Sequence, residues 1–152
     1  MRFRITLIVL VSSFSSLVGA QITDYIYPYH EQPSFSNYGT VGLIMMPTAR
    51  MHEAGTIGFT WSHADPYLRG SIMGYPFDWF EASYQYTDVN NKLYSDSPEF
   101  SGKQSYKDKS FDAKFRLFKE TTLIPQIAVG FRDFGGSSLF AAEYIVASKL
   151  IG

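Results

Sequence analysis

The chain has 152 residues, a formal net charge of −1 and no cysteine, with aromatic residues at 17%. This length suits one domain, and the near-neutral charge without a basic stripe excludes the electrostatic footprint of a nucleic-acid-binding protein. The absence of cysteine excludes a disulfide framework, and the many Tyr and Phe residues favour strands over helices.

The first twenty residues have the pattern of a secretory signal peptide. Arg2 and Arg4 make the start positive, an apolar stretch follows, and Val18 and Ala20 are small enough for the positions before a cleavage site. We predict cleavage between Ala20 and Gln21. The apolar run is shorter than the roughly 20 residues of a membrane-spanning helix, which argues against a transmembrane anchor. Without a cysteine after the cleavage site, we expect no lipid anchor at that position.

Residues 21–54 are predicted to form an extended lead segment, since Pro28 and Pro33 interrupt a polar and aromatic stretch. Met45–Gly55 would approach the first strand, with Pro47 preventing earlier pairing. Residues 55–152 alternate between apolar and polar side chains, which predicts an all-β antiparallel meander. The six predicted strands lie at about 55–63, 67–75, 78–88, 109–119, 123–133 and 139–149. Residues 89–108 are predicted to be a long polar loop.

The apolar face of this meander must meet either a protein core or lipid. Strands of about 9–11 residues have the length that crosses a bilayer when tilted. A long loop on one side and short turns on the other are typical of outer-membrane barrels, whereas a secreted β-sandwich alternates with the same period. We predict a partial transmembrane β-barrel. Because about eight strands close the smallest barrels, we expect the chain to be part of a longer protein or to pair with other chains.

The alternation assigns each strand residue to one of the two faces. The residues predicted to face a polar lumen are Arg69, Glu81, Gln85, Asp112, Lys114, Arg116, Gln126, Arg132 and Glu143. The residues predicted to face lipid are Ile57, Phe59, Trp61, Phe80, Tyr84, Phe115, Val129, Phe131 and Tyr144. The polar set would form ion pairs that fill the lumen, or a hydrated track for a polymer.

No catalytic or metal-binding motif stands out. None of the three histidines has a partner at ligand spacing, so we predict no metal site and no cofactor. A phosphate-binding loop, a nucleophile elbow and a zinc-protease motif are all missing from the sequence. Glu81, Asp112 and Glu143 offer carboxylates for glycoside hydrolysis, but alternation already explains their positions. We predict no catalytic residue and no enzymatic activity.

Several stretches together resemble one known family. They are Met46–Arg50 (MPTAR), Ala64–Tyr67 (ADPY), Pro76–Val89 (PFDWFEASYQYTDV), Ser105–Glu120 (SYKDKSFDAKFRLFKE) and Pro125–Lys149 (PQIAVGFRDFGGSSLFAAEYIVASK). From Pro33 to Lys149 the chain is similar to the YjbH-type outer-membrane proteins linked to exopolysaccharide production. The resemblance covers nearly all of the predicted mature chain.

This resemblance implies a β-barrel in the bacterial outer membrane, in a protein several times longer than this chain. It implies outer-membrane lipid, exopolysaccharide and other polysaccharide assembly or export proteins as partners, and no nucleic acid. Family members are often lipoproteins, a feature that does not carry over to a chain without cysteine. We therefore expect a non-enzymatic barrel segment in exopolysaccharide biosynthesis or export. The alternatives are a surface-exposed structural or adhesive β-protein and a periplasmic carbohydrate-active enzyme.

Overall fold

The computed structural model describes residues 33–151, except for the side chain of Pro98. The predicted signal peptide, its cleavage site between Ala20 and Gln21, and the first part of the lead segment lie outside the described residues. No helix within the described part is long and apolar enough to cross a membrane.

Strands dominate the described part of the chain. The strands are β1 Gly42–Leu43, β2 Met46–Pro47, β3 Ile57–Ala64, β4 Tyr67–Phe77, β5 Phe80–Leu93, β6 Ser105–Phe118, β7 Gln126–Arg132 and β8 Ala142–Ser148, and the helix is α1 Pro98–Ser101. β1 and β2 form a small hairpin, while β3 to β8 form one antiparallel sheet in sequence order. The predicted all-β antiparallel meander is confirmed. The sheet is open, with β3 and β8 at its edges.

Two predictions about the strands were wrong. The predicted loop 89–108 is too long, because β5 continues to Leu93 and β6 begins at Ser105, with Val89 opposite Tyr106, which leaves residues 94–104 as the connection. Pro47 does not prevent pairing, since it lies in β2 opposite Gly42. Proline lacks an N–H group, but the N–H of Thr48 donates to the carbonyl of Val41 at 3.2 Å and supports the hairpin.

The sheet buries its polar face and exposes its apolar face. Arg69, Glu81 and Lys114 are buried, whereas Ile57 and Trp61 are 80% and 65% exposed. A water-soluble domain buries its apolar side chains and leaves charged ones outside. Within the described residues, this sheet has the opposite arrangement.

From here on, the lead segment means residues 33–56, the described residues that precede β3, and this segment covers the polar face. Gly39 packs so closely on Ser71 of β4 that a Cβ at Gly39 would overlap that side chain. Gly58 of β3 lies close under the ring of Phe35. If residue 58 had a side chain, its Cβ would lie only 2.9 Å from Cζ of Phe35. A small apolar core forms where Val41 meets the sheet. The lead segment is therefore a layer on the sheet, not an approach to it.

The two faces of β8 are reversed from the prediction. Tyr144 lies opposite Gly130 in the β7–β8 register, and its ring occupies the space over this glycine on the polar face. Glu143 lies opposite Phe131 and is exposed with it. Ile145 interrupts the alternation in this strand, so the sequence pattern did not decide which face Tyr144 takes. In the structure, Gly130 has no side chain and therefore leaves room for the ring of Tyr144.

Candidate functional site

A buried ion pair lies at the centre of the polar face. Glu81 of β5 and Lys114 of β6 are direct neighbours across the two strands, with Oε2 and Nζ 2.7 Å apart and both side chains 0% exposed. Glu81 Oε1 accepts a hydrogen bond from the N–H of Val41 at 2.9 Å. Lys114 donates to the carbonyls of Val41 at 3.3 Å and Arg50 at 3.1 Å. The pair therefore binds the backbone of the lead segment at two places.

A second attachment holds the lead segment to β7 and β8. Gln126 donates to the carbonyl of Ala49 at 2.5 Å, and the N–H of Ala49 donates to the hydroxyl of Ser148 at 3.0 Å. Next to them, Arg50 forms an ion pair with Glu120. Burial by itself raises the pKa of Glu120, but the hydrogen bond from the N–H of Leu150 and the ion pair with Arg50 outweigh burial and hold this pKa below its ordinary value.

A third attachment lies over β4 and β5. Gln85 donates to the hydroxyl of Ser71 at 3.0 Å and to the carbonyl of Asn37 at 3.4 Å. The same carbonyl accepts from the hydroxyl of Ser62 in β3 at 3.3 Å. The polar side chains of the sheet thus hydrogen-bond the backbone of the lead segment, which is how buried polar groups are normally satisfied.

Two arginines and several aromatic rings form a cluster at one end of the polar face, where the longer connections emerge. The guanidinium of Arg69 lies 4.8 Å from the ring centre of Tyr38, 4.4 Å from that of Tyr67 and 5.2 Å from that of Phe140. The guanidinium of Arg132 lies 3.7 Å from the ring centre of Tyr38. Tyr38 thus contacts both guanidiniums, each within the range of a cation–π interaction.

The carboxylates that suggested hydrolysis are not assembled as a catalytic pair. Glu81 is engaged by Lys114, while Asp112 accepts a hydrogen bond from the N–H of Asp133 at 2.8 Å. Glu143 lies on the other face of the sheet. Within residues 33–151, no cluster of three His, Asp or Glu side chains has the arrangement of a metal site.

Arg116 lies at the opposite end of the face from the arginine–aromatic cluster. It pairs with Asp78 of the β4–β5 turn at 2.8 Å, and Lys119 pairs with the same carboxylate at 2.9 Å. The hydrogen bond from Lys119 is the main reason why the pKa of Asp78 lies below its ordinary value. This arginine therefore already has a carboxylate partner, which lies in the turn.

The structure brings together most of the predicted polar set. All of its members except Glu143 share the covered face: Arg69, Glu81, Gln85, Asp112, Lys114, Arg116, Gln126 and Arg132. All of the predicted lipid-facing set except Tyr144 share the other face: Ile57, Phe59, Trp61, Phe80, Tyr84, Phe115, Val129 and Phe131. That these faces meet a lumen and lipid stays a prediction. Sequence reasoning missed Tyr38 because it lies outside the alternating strands. It placed Phe140 in the predicted strand at 139–149, whereas β8 begins at Ala142 and Phe140 lies before it.

Fold and site together define an all-β protein whose open antiparallel sheet buries charged residues under its own N-terminal lead segment. Residues 34–152 match the family described as exopolysaccharide biosynthesis protein YbjH. The chain is 48% identical over 126 residues to the uncharacterized lipoprotein YjbH of Escherichia coli (strain K12). The chain therefore belongs to the YjbH family, as the sequence motifs indicated.

The matched region covers 83% of this chain but only 18% of the Escherichia coli relative. No solved structure matches the chain.

Proposed function

We propose that this chain is a non-enzymatic segment of an outer-membrane β-barrel that takes part in exopolysaccharide export. The observation that carries the proposal is the inverted sheet, with charged side chains buried on one face and large apolar side chains exposed on the other. This is the arrangement of a barrel wall, whose outer side meets lipid and whose inner side is polar. The family description supplies the link to exopolysaccharide.

The open edges of the sheet support a wall that continues beyond the six strands. β3 and β8 each have a neighbour on one side only among the described residues. In lipid, every unpaired backbone group at such an edge costs several kcal/mol, so barrels close on themselves. Further strands from a longer protein, or from other chains, would close this one.

Aromatic residues at one end of the sheet fit an interfacial girdle. The rings of Phe77 and Trp79 stack at 5.2 Å between centres near the β4–β5 turn, and those of Phe80 and Phe115 stack at 4.9 Å. Outer-membrane barrels carry such girdles at both interfaces and have short turns on the periplasmic side. The end with the β4–β5 turn would then face the periplasm, and the end with the arginine–aromatic cluster would face outward.

The proposed mechanism is guidance of a hydrated polymer along a polar lumen that contains the lead segment. Its partners would be outer-membrane lipid, exopolysaccharide and other polysaccharide assembly or export proteins. The Escherichia coli relative is named a lipoprotein, which favours a place in the cell envelope for this chain as well.

Cell fractionation combined with a secretion assay tests the proposal. We expect an antibody against residues 94–104 to find the protein in the outer membrane, with faster gel migration before heating, and gene deletion to lower exopolysaccharide secretion. Recovery from the soluble periplasm would reject the barrel in favour of a sandwich. Outer-membrane recovery with unchanged secretion would reject the export role in favour of a structural or adhesive one.

A further inference from the structure

We propose that Arg69 and Arg132 form a binding site for the carboxylate groups of an acidic polysaccharide. The inference rests on the proposed role in polysaccharide export, and it specifies the chemical class of the polymer. Nothing in the sequence pattern separates these two arginines from the other charged residues of the polar face, so the inference comes from their surroundings.

The hydrogen-bonding state of the two guanidiniums is the central observation. Arg69 is 1% exposed, yet its Nε, Nη1 and Nη2 atoms have no hydrogen-bond partner within residues 33–151. The buried Nε and Nη2 atoms of Arg132 have none in this part of the chain either. Among the described residues, neither arginine forms an ion pair, whereas Arg50 and Arg116 each have a carboxylate partner.

Burial without an acceptor is costly for arginine. A guanidinium has five N–H donors and stays charged in proteins. A buried polar group without a partner destabilises the fold, and a charged one does so most. The rings of Tyr38, Tyr67 and Phe140 offset part of this through their faces. The aromatic rings contact the face of the guanidinium and not the N–H groups at its edge, and an anion binds at those N–H groups.

The shape of the site selects a carboxylate. The planar guanidinium fork matches the two oxygens of a carboxylate in a bidentate pair. Both guanidiniums lie over the ring of Tyr38, and aromatic rings with a few placed polar groups are the usual lining of a ligand site. A sugar acid fits this lining, because its carboxylate can pair with the guanidiniums and its sugar ring can pack on the aromatic rings.

Arg132 is the more accessible of the two arginines. Arg132 is half-buried at the end of β7, and Tyr38 and Phe140 are half-buried residues outside the strands of the sheet. A ligand would meet Arg132 first and reach Arg69 after Tyr38 moves aside. In the proposed barrel this end is the outer mouth, where an exported polymer leaves.

The test is a binding titration on the protein purified in detergent, in the form in which the cells produce it. Trigalacturonate is the acidic probe and maltotriose is the neutral one. We expect trigalacturonate to bind and maltotriose not to bind. Arg69→Gln and Arg132→Gln should each lower the affinity for trigalacturonate at least about tenfold, the loss of one good charged contact. Arg116→Gln is the matched control and should bind as the wild type does.

Equal binding of maltotriose or unchanged affinity in both Gln variants would overturn the inference. Displacement of trigalacturonate by an equal concentration of inorganic phosphate would also overturn it, because it would indicate a site for small free anions. If Arg69→Gln fails to fold, Arg132→Lys decides the question, because it keeps the charge but loses the fork and should bind less tightly. Wild-type protein that migrates as a barrel but does not bind trigalacturonate would reject this site and leave the proposed function standing.

Discussion

Glu81 and Lys114 form an ion pair, 2.7 Å between Oε2 and Nζ, that is completely buried between the sheet and the lead segment. Both side chains also bind the backbone of Val41, Glu81 at its N–H and Lys114 at its carbonyl. The pair thus joins two neighbouring strands to a segment that lies far from them in the sequence. The polar face of the sheet is occupied by the protein's own chain.

Glu81→Gln should destabilise the protein strongly. The substitution leaves the ammonium of Lys114 buried without a carboxylate, and breaking a buried pair by removing one partner costs about 3–5 kcal/mol. Denaturant unfolding in detergent measures this change in the free energy of unfolding. Glu99→Gln, exposed in the connection between β5 and β6, is the control and should stay within about 0.5 kcal/mol of the wild type.

The double variant Glu81→Leu with Lys114→Met should cost less than the sum of the two single variants. It removes both charges, so no buried charge is left without a partner. A double-mutant cycle in the same unfolding assay gives the coupling energy. Strictly additive losses would mean that the two side chains act independently, contrary to their geometry.

Gly39→Ala should release the lead segment from the sheet. Gly39 has a φ of +72°, which a residue with a side chain rarely adopts, and a Cβ there would overlap Ser71. We expect a loss of roughly 1–3 kcal/mol from overpacking, together with faster proteolysis within residues 33–56. Gly74→Ala is the matched control, since an added Cβ meets nothing within 4 Å there. Equal protection of the lead segment in both variants would contradict its close packing on β4.

Phe59→Arg should impair assembly into the outer membrane. Phe59 is 65% exposed on the apolar face, and an arginine on the lipid side of a barrel costs about 2–4 kcal/mol near the bilayer midplane. The amount of heat-modifiable protein in the outer-membrane fraction measures assembly. Phe59→Leu, which stays apolar, should assemble normally. Full assembly of the arginine variant would show that this face does not meet lipid.

Acid should weaken the contact between Arg50 and Glu120. The pKa of Glu120 in the folded protein lies below its ordinary value of 4.5, so its carboxylate contributes stability above that value and loses it as the pH falls through the folded pKa. The difference in unfolding free energy between the wild type and Glu120→Gln should be constant near neutral pH and shrink in acid. If the difference in unfolding free energy grew as the pH fell, the result would contradict the lowered pKa of Glu120.

The period-two pattern allowed the order of the strands and most face assignments to be predicted. Phe59 and Lys114 could be placed on opposite faces because successive side chains of a strand alternate between its two sides. The pattern failed in β8, where Ile145 interrupts it. It also failed in the β5–β6 hairpin, where Lys107 was predicted to lie in the loop but pairs with Asp88 across the strands.

The sequence by itself determined the class of fold, the two chemically different faces and the family, because alternation and motifs are local properties of the chain. Only the tertiary structure decided what covers the polar face. Val41 meets Glu81 across 40 residues and Ala49 meets Ser148 across 99, and such contacts depend on strand register and on the space left by small residues. Likewise, the guanidiniums of Arg69 and Arg132 both contact Tyr38 only because the lead segment folds back onto the sheet.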